Sequence, residues 1–267
     1  MIRILPAFFL LLLPMVLAGQ SKEPFYLVPI YALQLSDDDG ANTVPITSEQ
    51  FQRWIDTANV VYKDARIRFT FDGRLHPMKS TVINNVTGDD DPKWNWLTNE
   101  LNSIAAREQK IVIAFRNKGG GGFSWWTYDY IVMPGFNKTN LCKTGMDLSL
   151  FAHELGHYLG LPHTFEITAR SEKALYDSLV HHNGQLSIFD GDKEYVSDTG
   201  PDPFVNELQC DTNASLVTIG KDTFTIPRSN PMSYWRYDRA KKFTPGQIKR
   251  VRSILEERIG KKTLRVA

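Results

Sequence analysis

Cysteine is almost missing from this sequence: there are two in 267 residues, Cys142 and Cys210. That excludes a disulfide scaffold, and their spacing matches no zinc knuckle. An excess of either charge is missing too. Thirty-one basic residues against 30 acidic ones leave a net +1, and no run of five or six basic residues occurs. The electrostatic footprint of a nucleic-acid binder is therefore absent, and no nucleic-acid partner is expected. After the first segment no apolar run approaches the about 20 residues that a membrane span needs. Repeats and low-complexity stretches are lacking as well. What remains, 42% hydrophobic and 23% charged, is an ordinary globular composition with ample material for a core.

The one long apolar run comes first. Arg3 precedes Ile4 to Leu17, and Val16 and Ala18 set small residues at the −3 and −1 positions of a cut before Gly19. Residues 1–18 are expected to be a signal peptide, with no cysteine after the cut to take a lipid. Residues 19–267 are then expected to form one secreted or periplasmic domain without a membrane span.

Periodicity orders the next stretch as strand, helix, strand, helix, then further strands. A strand is expected over 25–35. Thr47 and Gln50 form a capping box for a helix bearing Phe51, Trp54, Ala58, Val61 and Tyr62. A strand follows at Ile67–Phe71, and Asp91-Pro92 is read as the start of a second helix running to about Ala106. Ile111–Phe115, the region after the glycine run Gly119–Gly122, and Tyr130–Met133 supply three more strands. The pattern favours a largely parallel sheet with helices packed on it. Beyond it come a helix near 147–159, a long irregular stretch with helical character at Ser171–His182, and a final helix capped by Thr244 and Gln247 and ended by Gly260.

Chemistry concentrates in His153-Glu154-Leu155-Gly156-His157-Tyr158-Leu159-Gly160-Leu161-Pro162-His163, which holds half of the six histidines. Histidines four apart leave one face of a helix and can bind one ion. Gly160 accepts the left-handed turn that lets His163 swing back as a third donor. Three imidazoles with an open fourth position describe a catalytic zinc site. Glu154 points elsewhere, yet it lies close enough to reach a water on the ion. The adjacent His181 and His182 do not share a helix face and read as surface residues.

The string fits the HExxHxxGxxH pattern of the metzincins, with Asn230-Pro231-Met232-Ser233-Tyr234 as the methionine turn that follows it. With His163-Thr164-Phe165, Val196-Ser197-Asp198-Thr199-Gly200-Pro201 and Phe243-Thr244-Pro245-Gly246-Gln247, the chain resembles the pappalysin family of ulilysin-like and cytophagalysin-like peptidases. The resemblance implies an α+β metzincin catalytic domain. Its upper part (19–160) would hold a twisted, mixed five-stranded sheet, two or three helices and the zinc helix. Its lower part (161–267) would be irregular and carry the methionine turn and a C-terminal helix. An edge strand near Gly119–Trp126 would take extended substrate by strand addition.

The implied activity is endopeptidase cleavage of protein or peptide, with one catalytic Zn²⁺ on His153, His157 and His163. Glu154 would accept the water's proton, Tyr234 would donate to the oxyanion, and Met232 would pack beneath the metal. Asp238 is the candidate for an S1′ preference for Arg or Lys, although Arg236 and Arg239 flank it. Asp190, Asp192, Asp198 and Asp202 suggest Ca²⁺, against a solvated acidic loop. Cys142 and Cys210 would bridge in an oxidising compartment. A zinc-bearing binding or adhesion module that has lost turnover is the competing reading.

Overall fold

The computed structural model describes residues 24–88, 90–118, 121–135, 148–165, 172–182, 196, 198–203, 214–235 and 241–266. Its elements run β1 (Tyr26–Ser36), α1 (Ser48–Val61), β2 (Ile67–Thr70), β3 (Leu75–Lys79), α2 (Thr81–Asn85), α3 (Trp94–Glu108), β4 (Ile111–Arg116), β5 (Phe123–Ser124), β6 (Tyr130–Pro134), α4 (Leu150–Tyr158), α5 (Glu172–His182), β7 (Leu216–Ile219), β8 (Asp222–Thr225) and α6 (Pro245–Gly260).

β1 organises the sheet. It is long enough to take two parallel partners on one side, β2 along Tyr26–Pro29 and β3 along Ala32–Ser36. On its other side lie β4 and then β6, both parallel, and β5 forms the edge antiparallel to β6. The sheet is mixed and five positions wide, as the resemblance implies, but it has six strands because β2 and β3 share one position. β3 escapes sequence patterning because Pro77 lies inside it, and a proline without an N–H fits only an edge. β4 and β6 are buried throughout, which explains their unbroken apolar runs.

Helices cover both faces. Phe115 of β4 meets Phe51 and Trp54 of α1, and Phe51 meets Phe151 of α4, with ring centroids 4.9, 6.1 and 5.3 Å apart. Hence α1 and α4 share one face. α3 covers the other, where Trp94 packs edge-on against Phe123 and the Thr98 hydroxyl bonds that of Tyr130. α6 joins this main core through Val251 and Leu255. A second, smaller core in the lower part gathers Leu179, Val217, Ile219, Ile226 and Trp235.

The capping boxes at Thr47/Gln50 and Thr244/Gln247 both form as read. Three helix ends differ from expectation. The Asp91 carboxylate accepts from Lys93 N and Thr87 N, closing a turn that precedes α3, so the helix starts at Trp94. It runs on to Glu108 because the left-handed terminal position is taken by Gln109, which no glycine signals. Gly260 is still helical, and the left-handed residue beyond it is Lys262. Among the described residues no helix is long and apolar enough to cross a membrane. The expected signal peptide, the Cys142 and Cys210 pair, and Asp238 lie outside the described residues.

Candidate metal centre

Every residue of α4 from Leu150 to Tyr158 is buried, and the helix carries His153 and His157 on one face. It ends in a tight motif: Leu161 N–H donates to Gly156 O at 2.8 Å and Gly160 N–H to His157 O at 2.9 Å. Gly160 sits at φ +84°, a conformation that any side chain would strain, and an added Cβ would lie 2.8 Å from Ile254. This turn also aims the Leu161 carbonyl at His157, whose Nδ1–H donates to it at 2.7 Å. His153 is fixed in the same way by the carbonyl of Pro231 in the methionine turn, 2.8 Å from its Nδ1. Carbonyls only accept, so both rings carry the proton on Nδ1 and leave Nε2 bare.

The three Nε2 atoms converge. His153 and His157 stand 3.1 Å apart, His153 and His163 3.2 Å, and His157 and His163 3.0 Å. Four-coordinate zinc with bonds of about 2.0–2.1 Å sets ligand nitrogens roughly 3.3 Å apart, close to these separations. Two of the three facing nitrogens are bare lone pairs, and burial pushes the His157 pKa down to about 4. The donor set therefore suits a cation and not a proton, and the residues present fit zinc.

Beneath the cage, Met232 is wholly buried, and a Cβ on Gly156 would overlap its sulfur. The turn is held from behind by a reciprocal amide pair. Asn230 Nδ2 donates to Gln247 Oε1 at 3.1 Å, Gln247 Nε2 returns a bond to Asn230 Oδ1 at 3.2 Å, and Met232 N–H also donates to that Oδ1 at 2.9 Å. Gln247 Oε1 meanwhile accepts from Thr244 N, so the capping box of α6 and the methionine turn share one side chain. Above the cage, Gly121 and Gly122 line a cleft with Ser149, His153, Glu154 and Tyr234. A Cβ on Gly122 would fall 2.5 Å from Glu154 Oε1, so the rim backbone lies directly against that carboxylate. The Tyr234 ring packs against His153 and His163 at centroid distances of 5.4 and 4.8 Å.

A family model described as metallo-peptidase family M12 matches residues 35–186, over half of the chain. A second, described as pregnancy-associated plasma protein-A, matches residues 128–256 and takes in both the histidines and the methionine turn. The chain belongs to the metzincin metallopeptidases. Its second half is pappalysin-like. Solved structures similar to this metzincin include metalloproteinase-II from Bacteroides fragilis. The two are 12% identical over 52% of this chain and 43% of that one, with a TM-score of 0.34, so the match takes in less than half of that protein's length. No curated protein matches the sequence.

In this metzincin two acids of the stretch that suggests calcium, Asp198 and Asp202, have other work. Asp198 accepts from Thr244 Oγ1 and Gly246 N, both at 2.7 Å, and so ties its loop to the start of α6. Asp202 is fully buried and accepts from Thr164 Oγ1 and Trp235 Nε1. Both carboxylates are already bonded within the protein, which does not support the calcium expectation; Asp190 and Asp192 lie outside the described residues. Sequence reasoning also missed what Gly122, Gly156 and the Asn230–Gln247 pair do. Only Gly156 gave a signal, since a glycine inside a helix costs about 1 kcal/mol and wants a packing reason.

Proposed function

We propose that this metzincin is an exported endopeptidase that uses one zinc ion, held by His153, His157 and His163, to hydrolyse peptide bonds. The observation that carries this reading is the convergence of three Nε2 atoms within 3.2 Å, two of them with their protons committed to backbone carbonyls. Bound zinc supplies Lewis acidity there, acidifying a water to a pKa of about 7 and drawing charge from a carbonyl. Glu154, buried at the cleft wall, takes the proton from the attacking water and passes it to the departing amine. The Tyr234 phenol, packed on two of the imidazoles, donates to the oxygen on which charge develops. β5, the outer strand of the sheet on the cleft side, aligns an extended peptide by its backbone. Asp238, just past the methionine turn, is the residue proposed to favour Arg or Lys after the scissile bond. Export rests on the apolar leader and its small-residue cut site.

Sequencing the new N-termini made in a complex peptide mixture tests this. Cleavage by the wild-type chain that vanishes with Glu154→Gln and with a zinc chelator is the expected result. General-base loss typically costs about 10²- to 10⁴-fold. Cleavage that survives Glu154→Gln would overturn the assignment of the base, and products without a basic first residue would remove Asp238 from the reading.

A further inference from the structure

The cage is built from two unlike halves. His153 and His157 ride on α4, while His163 and Tyr234 sit on irregular chain that no helix or sheet ladder holds. Among the described residues a backbone bond joins these two segments, Thr164 N–H to Met232 O at 3.3 Å. The stronger link is a side chain. Asp202 is wholly buried and receives the Thr164 hydroxyl at 2.6 Å and the Trp235 indole N–H at 2.8 Å, and it also bonds the Ser233 hydroxyl. Thr164 directly follows His163, and Ser233 and Trp235 flank Tyr234 on either side. All three donors are thus next neighbours of cage residues, and they come from both irregular segments.

We propose that Asp202 is a positioning residue: a single buried carboxylate that clasps the His163 segment to the methionine turn and so sets the third imidazole and the Tyr234 phenol against the helical pair. The proposal rests on reading the three histidines as a zinc cage.

Burial of the carboxylate opposes its charge, and its three hydrogen bonds favour it, with Lys241 adding attraction. The surrounding anchors are firm. Trp235 belongs to the second core, and Lys241 Nζ spans Arg228 O and Trp235 O at 2.7 and 3.1 Å. Asp202 therefore transmits the rigidity of that core to a metal ligand it does not touch. The donors differ in what they tolerate. Serine and threonine hydroxyls can turn round and accept, whereas an indole N–H can only donate. An asparagine at 202 can still serve all three, its oxygen on Trp235 and its amide on the hydroxyls, but an alanine can serve none.

Zinc affinity by chelator competition, and the visible absorption of the cobalt-substituted protein, separate this clasp from a role in the fold alone. Asp202→Ala is expected to weaken zinc binding by about 10- to 100-fold, the usual cost of losing a group that orients a ligand. It should also shift the cobalt bands, while Asp202→Asn recovers most of the affinity and the wild-type spectrum. Should Asp202→Ala fail to fold, Thr164→Val removes one donor at nearly constant volume and is expected to move the cobalt bands in the same direction. Asp202→Ala or Thr164→Val with unchanged affinity and spectrum and only a lower Tm would overturn the clasp while leaving the zinc reading intact. A wild-type chain that takes up neither metal would overturn both.

Discussion

The sheet half and the methionine-turn half of this molecule are held together in different ways, and the metal cage straddles them. Around β1, β4 and β6 each strand is fixed by a row of backbone bonds and by aromatic side chains from two layers of helix. Among the described residues around the methionine turn, single side chains make the links: Gln247 on Asn230, Asp198 on the start of α6, Asp202 on three donors. Layered packing above and single-side-chain links around the turn imply different responses to damage. Breaking a contact above should cost stability and leave the site's chemistry to the surviving molecules, whereas breaking one below should disturb the metal before it disturbs the fold.

The largest effect expected is above. Phe115 is completely buried between Phe51 and Trp54, and Phe115→Ala should cost about 3–5 kcal/mol in denaturant unfolding. The fraction that stays folded should bind zinc as tightly as wild type. Weakened zinc binding in that fraction would show that the two halves are not separable in this sense.

Next comes acid. In the metal-free protein the His157 pKa is held at about 4 by burial, against an ordinary 6.5. Because the folded value is depressed, the unfolded chain takes up the proton first. The stability that the neutral ring contributes is whole above pH 6.5 and is lost as pH falls toward 4. At about 1.4 kcal/mol per unit the ceiling is about 3 kcal/mol. Denaturant unfolding of the metal-free chain at pH 7 and pH 4.5 reads the difference. His157→Gln should flatten it, and an equal slope in both proteins would assign the acid sensitivity to other groups.

A smaller loss is expected at the amide pair. Gln247→Ala leaves the buried Asn230 amide without its partner, which costs about 1–3 kcal/mol, and loosens the turn whose Pro231 carbonyl orients His153. Zinc affinity should fall along with Tm. Asn230→Ala combined with Gln247→Ala should be little worse than either alone, the mark of one shared interaction. Additive losses would separate the two side chains.

The same contrast explains what could be read from the sequence. Caps, the helix stripe of α1, the buried runs of β4 and β6 and the histidine spacing are local patterns, and each lies where the pattern places it. β3 fails locally because of Pro77, and the end of α3 fails because Gln109 does what glycine usually does. The lower half was legible only as motifs. Asn230, Gln247 and Asp202 all stand within those motifs or beside them, but a clasp is a relation between residues 17 to 38 positions apart, and no periodicity encodes it. In the sequence Asp202 is consequently only one of four acids in a calcium-like stretch, whereas burial and three protein donors give it another task.

Gly122 gives the smallest effect on stability and the sharpest test of where the halves meet the chemistry. There the rim beside the sheet edge meets Glu154, and a Cβ falls 2.5 Å from Oε1 and 2.6 Å from Cγ. The obstructed group is the Glu154 side chain from Cγ to Oε1 and not backbone, so a Gly122→Ala variant can yield by moving that buried side chain aside. Stability should fall by about 1 kcal/mol, the low end of the cost of crowding a packed position, because the group that must move is a side chain. Zinc affinity should hold, because neither the three imidazoles nor their carbonyl partners are touched. The proton transfer assigned to Glu154 depends on its carboxylate standing where the rim now holds it, so kcat should fall while KM changes little. A variant with full kcat would mean that the carboxylate has room to spare, and that the contact with the rim is packing without a positioning role.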